Sequence, residues 1–167
     1  WQFLKSTGAL YGLVINTEVD ERYNLEKATR AACQYFADAK NKTGSWAAAA
    51  ASYNMGTAGL IKQQTNQQET YYYHLFLNSE TSRYVQRIIA LKTIHQNPKD
   101  FGFNLGQDDL YQPYKFTTEE VSGTVNWVDF AKARNISYKL LRVYNPWIRD
   151  LRLYNTQKRA FTVKIPV

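Results

Sequence analysis

Residues 78–98, NSETSRYVQRIIALKTIHQNP, are the most regular stretch of the chain. Tyr84, Ile88, Leu91 and His95 recur at helical spacing, with Val85 and Ile89 beside them. Ser79 is a residue type that caps a helix N-terminus, and Glu80 favours the positive end of the helix dipole. Pro98 closes the pattern. The spacing predicts a helix from Ser79 to about Gln96, and a mainly helical first part of the chain.

The stretches before it agree. Residues 24–42, NLEKATRAACQYFADAKNK, place Leu25, Ala28, Ala32, Tyr35, Phe36 and Ala39 at helical spacing, with Asn24 as N-cap and Gly44 as stop. SWAAAAASYN, from Ser45, reads as an alanine-rich helix that allows close helix contact. A glycine break at Gly56 leads into a further helical segment. Cys33 lies inside the helical pattern and is expected to be a small buried residue; alone, it forms no internal disulfide.

After Pro98 the pattern is lost. Residues 99–116, rich in Gly and Pro for their length, read as a connection, with a linker at 104–115. Beyond it, FTTEEVSG reads as extended. TVNWVDFAKARN and SYKLLRVYNP read as short helices capped by Thr124 and Ser137. RAFTVKIPV alternates Phe161, Val163 and Ile165 as a strand does. The second part is therefore a small α+β unit in the order strand, helix, helix, strand.

Composition narrows the function classes. The 167 residues carry a net charge of +7, which is compatible with polyanions and with simple solubility. There is no zinc-ligand spacing, no glycine-rich phosphate loop and no nucleic-acid signature, so neither metal, cofactor nor nucleic acid is expected. His74 and His95 stand apart without partners at ligand spacing. No apolar run is long enough to span a membrane. Aromatic residues make up 15%, with 13 tyrosines, and tyrosine suits carbohydrate or peptide surfaces as well as core edges.

Three segments together resemble the lytic transglycosylases. WQF with STGALYGL, at residues 1–3 and 6–13, resembles that family's glutamine motif. AASYNMG, at residues 50–56, resembles its Ala-Tyr-Asn-x-Gly motif. SETSRYVQRIIAL, at residues 79–91, resembles its Glu-Thr-x-x-Tyr-Val motif. VDERYNLEKATRAACQYF fits its Asp-Glu-Arg segment and following helix. The resemblance covers about residues 1–103 and is nearest to the membrane-bound type. It implies a lysozyme-like helical domain that cleaves the β-1,4 bond between N-acetylmuramic acid and N-acetylglucosamine, leaving a 1,6-anhydro end.

The resemblance also implies roles. Gln2 would hydrogen-bond the sugar, and Tyr53 would reach toward the catalytic acid. Asn54 would contact an acetamido group or fix the turn, with Met55 beside it and Gly56 permitting the turn. Tyr84 would line the cleft, although spacing alone would make Tyr53 and Tyr84 core aromatics. Glu80 would either line the cleft or serve the helix terminus. The family's general acid is one glutamate in a Glu-Ser motif upstream of the Trp-Gln pair, and no residue precedes Trp1 in the sequence given. The expectation is a chain without its catalytic residue and hence inactive, or a non-catalytic peptidoglycan-binding protein. Glu18, Asp20 and Glu21 are expected to be structural.

Residues 116–167 resemble a LysM module. The Gly-Thr turn, the Ile-Ser start of the second helix and the following Asn-Pro carry that likeness. It implies glycan binding at Ser122, Gly123 and Thr124 and at Asn145 and Pro146, or else a degenerate module packed on the first domain. The expected setting is the bacterial cell envelope, the expected partner is the peptidoglycan glycan strand, and the expected state is a monomer. Polyanion binding through the basic C-terminal part is a further, weaker reading.

Overall fold

The computed structural model describes residues 1–167. Its helices are α1 (Lys5–Leu10), α2 (Leu25–Thr43), α3 (Trp46–Met55), α4 (Thr57–Gln67), α5 (Ser79–Gln96), α6 (Trp127–Lys132) and α7 (Tyr138–Tyr144). The strands are β1 (Phe116–Val121), β2 (Val125–Asn126), β3 (Arg152–Leu153) and β4 (Phe161–Pro166). The chain forms two compact units: Trp1–Ala32 with Gln112–Val167, and Cys33–Tyr111. No helix is long and apolar enough to cross a membrane.

In the unit of residues 33–111, α3 packs against both α4 and α5. Ala48 and Ala51 lie at the contact with Leu60, Tyr72, Leu75, Leu77 and Val85. Small side chains let these backbones approach, as the alanine run predicts. Gly56 separates α3 from α4 at φ 85°, ψ 140°, a conformation that side chains disfavour. The cap of α5 differs from expectation. Asn78, not Ser79, is extended, and its Oδ1 accepts from Thr81 N at 2.9 Å. Both residue types are good caps, so sequence preference alone does not choose between neighbours. Burial on α5 is confined to Thr81 and Val85; Ile88, Ile89 and Leu91 stay exposed.

Asn24 caps α2 as expected, its Oδ1 accepting from Lys27 N at 3.1 Å. Cys33 is exposed, contrary to expectation. The buried side of α2 runs through Ala28, Ala31, Ala32 and Ala39, and Cys33 lies one position past it.

In the other unit, β1 and β4 pair antiparallel from Phe116↔Pro166 to Val121↔Phe161, with α6 and α7 between them in sequence. A second ladder, Val125↔Leu153 and Asn126↔Arg152, was not legible in a pattern only two residues long. Ser137 caps α7 as expected. Thr124 does not cap α6. Asn126 does, while Thr124 Oγ1 donates to Tyr154 O at 3.0 Å and fastens the end of the short ladder. The core gathers Trp127, Phe130, Leu141, Trp147, Phe161 and Val163. Trp147 stacks on Phe161 at 5.5 Å and meets Trp127 edge-on at 5.9 Å. Val19, from the first thirty-two residues, is buried in the same core.

Asn145 is fully buried. Its Nδ2 donates to Leu141 O and Lys164 O, and its Oδ1 accepts from Lys164 N. One amide thus ties the end of α7 to β4. Asn145→Ala leaves the partly buried Lys164 N–H and C=O without this partner, at about 1–3 kcal/mol each before relaxation, while Leu141 O keeps the backbone N–H of residue 145. The expected net loss is about 2–3 kcal/mol. A urea unfolding series on both proteins reads it from the midpoint.

Candidate functional site

In the unit of residues 33–111, the aromatic residues of α2 and α3 form a shelf. The Tyr53 ring stacks on Phe36 at 5.0 Å and meets Tyr35 edge-on at 5.1 Å. Tyr35 Oη donates to Ser52 O at 2.8 Å and lies 3.1 Å from Thr57 Oγ1, so its ring is fixed from α3 and α4. Burial, with smaller effects of the Tyr84 and Tyr35 phenols, pushes the Tyr53 hydroxyl up to about 12. Burial also raises Tyr84. Both phenols therefore keep their protons at neutral pH and can donate hydrogen bonds.

The other expected residues of this unit have observable work. Asn54 Oδ1 accepts from Thr81 Oγ1 at 2.9 Å, which ties α3 to the first turn of α5. Met55, half-buried, ends α3 against the core. Glu80 is exposed in the first turn of α5 and pairs with Arg87 at 3.3 Å. His74 Nδ1 lies 2.9 Å from Glu69. Tyr35 and Phe36 were read only as positions on a helical face; their alignment with Tyr53 needs the α2–α3 packing, which no local pattern encodes.

Gln2 belongs to the other unit. It is exposed, with φ 54°, a left-handed backbone rare for its residue type. Its neighbours are anchored: Trp1 Nε1 donates to Thr29 Oγ1 at 2.8 Å, and Phe3 is buried. Arg22 Nη1 donates to Phe3 O at 3.0 Å. The same guanidinium donates to Asp20 from Nε at 2.9 Å and from Nη2 at 2.7 Å. Asp20 N in turn donates to Trp147 O at 2.9 Å, and Arg149 N donates to Glu18 O at 2.9 Å. Glu18 Oε2 accepts from Tyr154 N at 2.9 Å. Glu21, buried, accepts from Val14 N at 2.8 Å and from the Lys27 ammonium. The three acidic residues thus act structurally, as expected. A continuous set of bonds runs from the segment after α7 to the carbonyl next to Gln2.

This pairing bears on the second expected site. Ser122, Gly123 and Thr124 are exposed beyond the Val121↔Phe161 end of the ladder. Asn145 is not exposed; its amide bonds Lys164, which faces Thr118 three steps along that ladder. Pro146 is exposed, but Trp147 and Ile148 are core residues. Asn145 therefore presents nothing to a ligand. The segment after α7 pairs with residues 18–20 instead.

The carboxylates with displaced titration are Asp20, Glu26 and Glu69, and all are lowered. The hydrogen bond from Arg22 is the chief cause for Asp20, that from Lys164 for Glu26, and that from Tyr71 N for Glu69. A general acid at neutral pH needs the opposite displacement.

Family models match two regions. The transglycosylase SLT domain matches residues 1–76, and the soluble lytic transglycosylase C-terminal LysM-like domain matches residues 117–167. Membrane-bound lytic murein transglycosylase D of Escherichia coli K12, and the protein of the same name from Escherichia coli O6:H1, are each 30% identical over 155 residues. Those matches cover 89% of this chain and 34% of each relative, so the chain spans about a third of their length.

The Asp20–Arg22 pair makes acid a test of the clasp. Asp20 titrates below its ordinary value of 3.8, so its contribution is present above that pH and is lost as pH falls through the lower folded value. Asp20→Asn is expected to destabilise the unit at pH 7 by about 1.5–3 kcal/mol. It should also flatten the acid limb of stability below about pH 4. Denaturant midpoints between pH 2.5 and 7 measure both.

Proposed function

Because the chain belongs to the lytic transglycosylase family, we propose that its 167 residues hold peptidoglycan glycan strands without themselves cleaving them. The reading is that of the family's lyase site, which splits the β-1,4 bond between N-acetylmuramic acid and N-acetylglucosamine, with this chain carrying the substrate-holding groups. Tyr53 carries the proposal. Its ring is braced by Tyr35 and Phe36, and its hydroxyl, pushed up to about 12, remains a donor throughout the working range. A rigid aromatic with a neutral O–H fits a sugar's apolar face and ring-edge oxygens. Tyr84 supplies a second aromatic hydroxyl, and Asn54 and Gly56 fix the turn. Gln2, in the other unit, is proposed separately as an amide that donates to and accepts from a sugar. Met55 and Glu80 complete the proposed binding set.

The proposed absence of turnover follows from the family's Glu-Ser motif, which the sequence given does not contain. The carboxylates whose titration departs from the ordinary are better anions than usual, not better acids. The modules are proposed as residues 1–103 and 116–167 joined by 104–115, acting as a monomer in the bacterial cell envelope. A non-catalytic binding protein is the second reading, with which the same carboxylates agree. A Glu-Ser motif encoded upstream of Trp1 separates the two, being present for the enzyme and absent for the binder.

Incubation with purified peptidoglycan tests the proposal. The chain is expected to sediment with insoluble sacculi and to release no 1,6-anhydro-muropeptides above background. Tyr53→Ala is expected to weaken sedimentation severalfold while the far-ultraviolet circular dichroism stays helical. Anhydro products at enzymatic rates overturn the absence of catalysis, and failure to sediment overturns glycan binding.

A further inference from the structure

A cleft of about 210 Å³ opens in the unit formed by residues 1–32 and 112–167, away from Ser122–Thr124. Tyr23, Tyr114, Phe116 and Tyr144 line it, with Glu26 and Lys164 between them. Tyr114 and Tyr144 lie ring to ring at 4.9 Å, and Phe116 meets Tyr144 edge-on at 6.5 Å. These rings are not core: Tyr114 is 68% exposed, Tyr23 51% and Phe116 39%. The Lys164 ammonium sits 4.7 Å from the Phe116 ring centre and is held by Glu26, whose carboxyl that contact keeps below its usual range. Exposed aromatics around a fixed ion pair make an apolar pocket with a few convergent polar groups.

Size and charge narrow the occupant. The volume is below the roughly 300–1,000 Å³ of sites that enclose a whole small molecule, so the cleft takes one ring of a longer ligand. An adjoining hollow of about 590 Å³ shares Tyr23, Val143 and Pro146 with it and adds Lys139, Arg142 and Arg149. No carboxylate lines that hollow. The Arg149 guanidinium lies 4.7 Å from the Tyr23 ring centre, which joins the cationic part to the aromatic part. One ligand half is therefore a flat, partly apolar ring with hydroxyls, and the other is anionic.

We propose that this groove is a second peptidoglycan-binding site, for a glycan unit that carries its peptide. The aromatic walls take the apolar face of one sugar ring, Glu26 and Lys164 bond its hydroxyls, and Lys139, Arg142 and Arg149 take the carboxylates of the attached peptide. The proposal rests on peptidoglycan being the ligand of this chain, and it places peptide-bearing units at a groove that includes Pro146 of the expected glycan-binding segment but not the Tyr53 shelf or the Ser122–Thr124 turn. A neutral chitin oligomer satisfies only the aromatic half of such a groove. Charge complementarity therefore makes it selective for substituted strands.

Calorimetric titration of the whole chain with a disaccharide-tetrapeptide, and with the same glycan stripped of peptide, tests this. Tyr144→Ala is expected to weaken the peptide-bearing ligand about tenfold, the loss of one well-placed aromatic contact. Arg149→Gln with Lys139→Gln is expected to weaken that ligand severalfold and to leave the stripped glycan unchanged. Thr162→Arg fills the groove from the exposed face of β4 and should block it even where Tyr144→Ala disturbs α7. Wild-type affinity in all of these variants, with loss in Tyr53→Ala, overturns the second site and leaves the Tyr53 site standing. A wild-type chain that binds neither ligand overturns both.

Discussion

The unit of residues 1–32 and 112–167 depends on one backbone exchange. Asp20 N donates to Trp147 O, Arg149 N donates to Glu18 O, and Val19 bridges Ile148. Without it, the segment after α7 is an edge with unpaired peptide groups, and the Trp127–Trp147–Phe161 core lacks Val19. Burying one valine contributes about 1.5–3 kcal/mol. The paired peptide groups also avoid the larger cost of burial without partners. The 136 positions between Glu18 and Tyr154 make this a long closure, and it is maintained only because burial and hydrogen bonding coincide there.

That exchange also decides what the LysM-like part can present. A module that leaves the segment after its second helix free can offer it to a ligand. Here Trp147 and Ile148 turn inward, Asn145 clamps β4, and Glu18 covers the amides of Tyr154 and Asn155. The segment after α7 is thereby paired with residues 18–20 of the same unit. The Asp20 carboxylate then carries the constraint onward through Arg22 to Phe3 O, beside Gln2. The position of a residue in the glutamine motif is thereby tied to a core more than a hundred residues away in sequence.

What was legible in the sequence followed from local rules. The long helices, the alternation of Phe161, Val163 and Ile165, the Asn24 and Ser137 caps and the Gly56 break each depend on residues a few positions apart. The errors arose where two local solutions were nearly equal or where distance mattered. Asn78 and Ser79 are both good caps, and Thr124 and Asn126 compete likewise, the winner being set by which residue stays extended. Cys33 follows the helical pattern by one position and so faces outward. The two-residue strands β2 and β3 have no period to detect. For the proposed site, motif likeness pointed to Tyr53, Asn54, Gly56 and Tyr84. The bracing rings Tyr35 and Phe36 and the Asp20–Arg22 relay exist only once helices and segments meet.

The charge of +7 takes on a different meaning when its cations are followed individually. Arg22, Lys27, Arg134 and Lys164 are held by Asp20, Glu21, Glu119 and Glu26. Such pairs neutralise charge locally and orient backbone, so they add little to a long-range field for polyanions. Lys139, Arg142 and Arg149 instead meet at one hollow with no carboxylate among its lining residues, beside exposed aromatic rings. A duplex polyanion is met by many dispersed cations that track its phosphates. Three cations next to a ring-sized aromatic cleft match something shorter in charge and flatter in shape. Part of the basic composition thus serves to hold the fold, and the proposed groove draws on three further cations, of which Arg149 also acts on Asp20.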